Sequence, residues 1–179
     1  PIASLSETLS SYMVDKDADS DVLAGLETIS QSSRGLIKFV ESYRNLTRVA
    51  APVKKAFYVR EMIDRVIQLT AQQTSEAGTV CTYFEKSEDI LLYADESQIS
   101  QILINLIKNA CQAEADMIEI TAEIDTSDSV FIHVANNGRP ISRESREDIF
   151  IPFYTTKQEG TGIGLSLSRQ IMRLHNGTL

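Results

Sequence analysis

Cysteine is nearly absent from this chain of 179 residues: only Cys81 and Cys111 occur. Cys111 lies beside an apolar helical run, so the pair supports neither a disulfide framework nor a zinc site, and a reducing, cytosolic setting is the simplest inference. Also missing is any apolar run near the roughly 20 residues needed to span a bilayer, and the first residues lack the basic and apolar regions of a signal peptide. The segment reads as soluble, which leaves open a membrane anchor elsewhere in a longer parent protein. Positive charge is short as well, with 17 Lys and Arg against 25 Asp and Glu and a formal net charge of -8. That balance disfavours a general nucleic-acid binder, whose affinity rests on neutralising phosphates. A local basic cluster could still serve one small polyanion, and Lys108, Arg139, Arg143, Arg146, Lys157 and Arg169 are candidates for it.

What remains, 42% hydrophobic and 23% charged residues, is the composition of a globular chain with one sizeable core and a smaller module. Ile2, Leu5, Leu9, Tyr12 and Met13 recur at spacings of three and four, which predicts a helix over 1–14, and the run from Asp15 to Asp21 then reads as a charged loop. A near-heptad pattern through Val22, Leu26, Ile29, Ser33, Leu36, Phe39 or Val40, Tyr43 and Leu46 predicts a second helix to about residue 49. Two such helices cannot bury their apolar stripes on each other alone. The hairpin is therefore expected to form a homodimeric four-helix bundle, the alternative being that it packs against the rest of its own chain. Ala50-Ala-Pro52 breaks the second helix, because proline lacks an amide hydrogen and restricts its predecessor. The boundary is placed there, between a hairpin of residues 1–50 and a second domain of residues 51–179. Pro1 starts inside a helical pattern and the chain stops in Asn176-Gly-Thr-Leu179, a turn and the start of a strand, so both ends read as cut.

In the second domain, Val59, Met62, Ile63, Val66, Ile67 and Leu69 predict a helix over 59–77, ended by Gly78. Strands are expected at 79–85 and 90–94, followed by a helix over 96–114 capped by Asp95, then strands at 117–124 and 130–135 joined by a turn at Asp125–Ser129. Residues 136–161 form a long polar stretch, and a final helix runs from about Ile163 to His175. The order is αα, αββαββ, loop, α, an α/β two-layer sandwich behind a helical hairpin. Loops as long as 136–161 are usually functional or disordered, and this one lies between two ligand-binding elements, which makes it a candidate mobile lid.

Those two elements carry the chemistry. Gly160-Thr-Gly162-Ile-Gly164-Leu165 opens the last helix, and glycines before a helix leave backbone N–H groups unobstructed where the macrodipole favours anions. Asn105 and Asn109 lie one helical turn apart in Asn105-Leu-Ile-Lys-Asn109-Ala, and carboxamide oxygens are ligands that Mg²⁺ accepts beside phosphates. Together they point to a nucleoside triphosphate site.

In four motifs the chain resembles the bacterial sensor histidine kinases, whose catalytic domain belongs to the superfamily of DNA gyrase, the Hsp90 chaperone and the MutL repair protein. Asn105 to Ala110 matches the N box, Asn136-Asn-Gly138 the first glycine box, Phe150-Ile-Pro-Phe153-Tyr-Thr-Thr-Lys157 the F box, and Gly160 to Leu165 the second glycine box. The resemblance implies a dimerisation hairpin followed by a Bergerat-type ATP-binding domain with a mixed sheet, and it implies ATP and Mg²⁺ as ligands. It assigns Asn109 to the metal and to the nucleotide, and catalytic roles to Asn105, Lys108 and Lys157. Nucleotide contacts are implied for Asn136, Gly138, Thr156, Gly160, Thr161, Gly162, Ile163, Gly164 and Leu165. The γ-phosphate would pass to a histidine and then to an aspartate of a response-regulator receiver domain. Phe150 and Phe153 are expected to anchor the lid on the core rather than to stack on adenine.

Three features differ from the family pattern or narrow it. Hydrolytic relatives usually carry a glutamate where Asn105 stands, so phosphoryl transfer is favoured over hydrolysis by a gyrase- or MutL-like ATPase. Neither His133, in a strand pattern, nor His175, at a helix end, lies where the family carries its phosphorylated histidine. Both read as structural, and the acceptor is placed upstream of Pro1. The first glycine box normally reads Asp-x-Gly-x-Gly, yet Asn136 and Pro140 replace its aspartate and second glycine, the one support for a degenerate kinase kept as a scaffold or phosphatase. An amide oxygen accepts from the adenine amino group without charge assistance, and a carboxamide free to rotate discriminates bases less sharply. Asn136→Asp is predicted to tighten ATP binding about fivefold by calorimetry; unchanged or weaker binding would remove Asn136 from the base site.

Overall fold

The computed structural model describes residues 2–14, 20–47, 49–157 and 160–179, and the chain divides into two compact units, Pro1–Arg48 and Val49–Leu179. In the first, α1 (Ile2–Val14) and α2 (Ser20–Thr47) pack side by side. Of the charged loop expected at Asp15–Asp21, residues 15–19 lie outside the described residues, and Ser20 and Asp21 begin α2. The seam between the helices is polar at its centre. Ser6 donates to the Leu26 carbonyl at 2.5 Å, and Glu7 accepts from Ser30 and pairs with Arg34. Much of the apolar stripe faces outward, with Ile2, Leu5, Val22, Ile29, Leu36, Ile37 and Val40 all exposed.

The second unit runs β1 (Lys55–Tyr58), α3 (Val59–Glu76), β2 (Val80–Glu85), β3 (Leu91–Ala94), α4 (Glu96–Gln112), β4 (Met117–Ile124), β5 (Val130–Asn136) and α5 (Gly164–Leu174). β2, β4 and β5 form a mixed sheet, β2 parallel and β5 antiparallel to β4, while β1 and β3 pair antiparallel in a ladder of their own. β1 is the element the sequence reading misses. Its four residues bury only Phe57, so alternation cannot announce it, and it exists through its pairing with β3. The expected sheet is in this way divided into two ladders.

Period-2 burial sets the register of the central strand: Ile118, Ile120 and Ala122 are fully buried while Met117 and Glu119 are exposed. A slip of one residue would expose the isoleucines and bury Glu119. Against them pack Val59, Met62, Ile63 and Val66 of α3 and Ile99, Ile102, Leu103 and Ile107 of α4. The apolar stripe of α4 thus points inward, which leaves Asn105, Lys108, Asn109 and Gln112 on the rest of its circumference. Helix α3 stops where Gly78 takes φ +68°, as its position after the last apolar residue requires.

Asp95 fixes the start of α4. Its carboxylate accepts from the backbone N–H of Ser97 at 3.1 Å and Gln98 at 3.2 Å, from the Ser97 hydroxyl at 2.6 Å, and from Val53 N–H at 2.8 Å. These bonds, led by the Ser97 hydroxyl, outweigh partial burial and hold the Asp95 carboxyl below the usual carboxylate range. A depressed native pKa stabilises the fold above the unfolded value, about 4, and that contribution is lost as pH falls through the lower native one. Asp95→Ala is predicted to lower the unfolding free energy by about 1–2 kcal/mol at neutral pH in urea melts, with the difference from wild type shrinking below about pH 4.

Candidate functional site

α4 and α5 meet at Asn105. Its amide donates to Ser168 Oγ at 3.1 Å, and Ser168 is 2% exposed. A Cβ added at Gly164 would collide with the Asn105 carboxamide, so this seam closes only because residue 164 has no side chain. At the far end of α5, His175 accepts from Asp95 N–H through Nε2 at 3.0 Å, and its Nδ1 lies 2.9 Å from the Ile171 carbonyl. That arrangement requires the Nδ1-protonated tautomer and makes His175 a clasp between the two helices. His133 lies on the exposed face of β5, 3.2 Å from Glu123 and stacked on Phe131.

The amino end of α5 carries no side-chain cap and no acidic residue in its first turn, so its leading N–H groups are without a competing acceptor from a side chain. Gly162 precedes it at φ +65°, and a Cβ there would strike the backbone of Phe153 and Tyr154. The same approach allows Phe153 N–H to donate to the Gly162 carbonyl at 3.0 Å. Ile163 is 3% exposed, so its side chain is buried and a nucleotide contact at this position would be made by its backbone. Leu165 is half-buried, Gly160 half-buried, and Thr156 and Thr161 are exposed.

The first glycine box is attached to the other end of α4. Arg139 N–H donates to the Ala113 carbonyl at 2.8 Å, and a Cβ on Gly138 would come within 2.6 Å of that oxygen. Asn137 Oδ1 accepts from Asp116 and Met117 N–H at 2.9 and 3.0 Å, while Asn136 Oδ1 accepts from Gly138 N–H at 3.1 Å. The expectation of a freely rotating Asn136 carboxamide is thereby corrected: its oxygen is directed to the backbone, with its second lone pair remaining.

Between these boxes Lys157 reaches back to α4, with Nζ 2.6 Å from Gln112 Oε1 and 3.4 Å from Asn109 Oδ1. Partial burial first, then Lys108 and Arg139, push the Lys157 ammonium below its ordinary pKa. Of the six candidate cations, then, Lys108, Arg139 and Lys157 cluster at the carboxyl end of α4. Arg169 instead lies over the Phe150 ring at 4.9 Å, and Arg143 and Arg146 sit exposed at a 3-10 turn of the loop. Phe150 is half-buried beneath Arg169, whereas Phe153 keeps 38% exposure and φ +69°, so the loop is fastened there by backbone rather than by a buried ring.

A family profile described as "Histidine kinase-, DNA gyrase B-, and HSP90-like ATPase" matches residues 94–179, the stretch that contains all four motifs. The catalytic domain of histidine kinase ThkA is 38% identical over 67% of this chain and 80% of that one, with a TM-score of 0.61. The chain belongs to the sensor histidine kinase family. Sensor histidine kinase ZraS of Escherichia coli (strain K12) is 27% identical over 86% of this chain and 33% of its own length. A structure of ThkA in complex with response regulator protein TrrA aligns over 98% of this chain and 52% of that one, with 26% identity and a TM-score of 0.69. The chain spans about a third of the length of the curated sensor kinases it matches.

Gln112 is the site residue that sequence reading overlooked. The signal was present, since Asn105, Asn109 and Gln112 stand at i, i+4 and i+7 on one helical stripe, with Lys108 beside them. Gly164→Ala is predicted to turn the Asn105 amide away from Ser168 and lower stability by about 1–2 kcal/mol. In an Asn105→Ala background the same change becomes neutral or stabilising by up to about 1 kcal/mol, because alanine is the better helix former. Thermal or urea melts of the four proteins measure this coupling.

Proposed function

We propose that this chain is the dimerisation and nucleotide-binding core of a sensor histidine kinase. It binds ATP with Mg²⁺, passes the γ-phosphate to a histidine outside these residues, and serves as the donor to a response-regulator aspartate. The observation that carries the reading is the convergence of four separate segments on one corner of the second unit. Asn105 and Asn109 come from α4, Gly164 from the start of α5, Lys157 from the F box and Gly138 from the turn on the end of α4.

The residues present fit the ligands. A divalent cation at this corner would be held by the Asn109 oxygen together with phosphate; among the described residues no group of three or more His, Cys, Asp or Glu could hold a metal ion. That donor set suits Mg²⁺, and a cation already touches Asn109 Oδ1 in the form of the Lys157 ammonium. Gly138 and Gly164 offer backbone approaches that a Cβ would fill, and the uncapped start of α5 suits phosphate. Mg²⁺ bound there would offset phosphate charge during transfer. Lys108 and Lys157 add charge for the transferred group, Thr156, Gly160, Thr161, Gly162 and Leu165 line its path, and Asn136 accepts from the base.

Asn105 supplies no carboxylate, so α4 offers no general base at that position to activate water. A neutral imidazole nitrogen needs none: as its N–P bond forms, the bond from the γ-phosphorus to the bridging oxygen breaks and ADP leaves. The exposed stripe on α1 and α2 supports a homodimer through a four-helix bundle. The ThkA–TrrA complex supports a receiver domain as the partner. Among the described residues no helix is long and apolar enough to cross a membrane, and a cytoplasmic position for this segment goes with the reading.

Isothermal titration with the Mg²⁺ complex of a non-hydrolysable ATP analogue tests the core claim. The chain should bind, and Asn109→Ala should weaken the Mg²⁺-dependent part of the affinity about tenfold or more, the loss of one charge-assisted contact. A form extended upstream should gain acid-labile label from γ-labelled ATP on a histidine, while the present chain retains none. Label on His133 or His175 would overturn the placement of the acceptor.

A further inference from the structure

The Lys157 contacts hold more than a phosphate ligand in waiting. Its ammonium donates its short hydrogen bond, 2.6 Å, to Gln112 Oε1 and reaches the oxygen of Asn109 at 3.4 Å, the atom that the proposed function gives to the metal. One carboxamide oxygen cannot face an ammonium and a divalent cation together at that range, because like charges a few ångströms apart repel strongly in a partly buried site. Lys108 and Arg139 place further positive charge near the same ammonium, and the two carboxamide oxygens are the acceptors that offset it.

We infer that Gln112 is a positioning residue which holds Lys157 in the metal's place while nucleotide is absent. Lys157 would have to leave Asn109 before that oxygen could hold Mg²⁺, and its ammonium would then be free to turn to phosphate. Gln112 thereby opposes nucleotide loading, and the corner changes from an internal cation to an external one in a single exchange. This rests on the assignment of Asn109 to the metal.

The sequence pattern gives the exchange a mechanical basis. Lys157 belongs to the F box, on the 136–161 stretch, whereas Asn109 and Gln112 belong to α4, so the contact also ties that stretch to the helix.

A double-mutant cycle with Gln112→Leu and Lys157→Met, read by calorimetry with a non-hydrolysable ATP analogue and Mg²⁺, separates this from a structural role. Gln112→Leu should tighten binding about three- to tenfold, the net worth of one ordinary hydrogen bond. In the Lys157→Met background the same change should have no effect. In the nucleotide-free protein, Lys157→Met should shift the side-chain amide resonances of both Asn109 and Gln112, a readout independent of activity. Unchanged or weaker binding by Gln112→Leu, or equal tightening in both backgrounds, overturns the inference and leaves the nucleotide site standing. Absence of any binding by the wild-type chain overturns the proposed function, and this inference with it.

Discussion

The seating of α5 on α4 is the constraint on which the site depends. A helix of 11 residues is marginal by itself in water, so the direction of its amino end comes from its tertiary contacts. Three of those contacts are specific. Ile163 and Ile171 are buried in or beside the core, Asn105 fills the space left by Gly164 and donates to Ser168, and His175 clasps Asp95. Because Asp95 also caps α4, the same residue fixes the start of one helix and the end of the other. The glycine turn is therefore aimed from both ends of α5, with no cap of its own to occupy its N–H groups.

Charge is arranged against the overall composition. A chain of net charge -8 repels a polyanion at long range, yet Lys108, Arg139 and Lys157 gather at the carboxyl end of α4. A helix carboxyl end carries partial negative charge, which favours cations there, and the amino end of α5 carries the opposite sign. A phosphate chain bound as proposed would meet side-chain cations from the end of α4 and backbone N–H groups from the start of α5. Partial burial of Lys157 limits screening by salt, so the local attraction persists where the long-range repulsion is damped.

How much of this could be read beforehand depended on whether the signal was local. Helices α3 and α4 declared themselves by apolar spacing, and β4 by strict alternation, because each buries one face on a single core. Strand β1 did not, since one buried phenylalanine in four residues carries no period and its hydrogen bonds come from β3, more than thirty residues away in sequence. The motif residues were legible because glycine and asparagine are chosen for backbone freedom and oxygen donation. Their partners were harder to read. Nothing local says that Asn136 turns to Gly138, that Ile163 faces inward, or that Lys157 crosses to Gln112, because each is decided by what another element places nearby. The expected Asp15–Asp21 loop could be followed only where it becomes helix.

The position of Asn105 explains why such a corner would hold ATP without consuming it. A general base needs a lone pair that is both basic and free, and a carboxamide oxygen is not basic near neutral pH. Here it is also engaged, packed against Gly164 while the amide nitrogen donates to a hydroxyl that is 2% exposed. The residue that would activate water in a hydrolytic relative is thus replaced by one that joins two helices. Water bound there would gain no base from position 105, and a transferable phosphate would await a nucleophile that needs no deprotonation. Under the proposed function an imidazole nitrogen would meet that requirement, and a carboxamide in place of a carboxylate at position 105 would favour a protein acceptor over solvent.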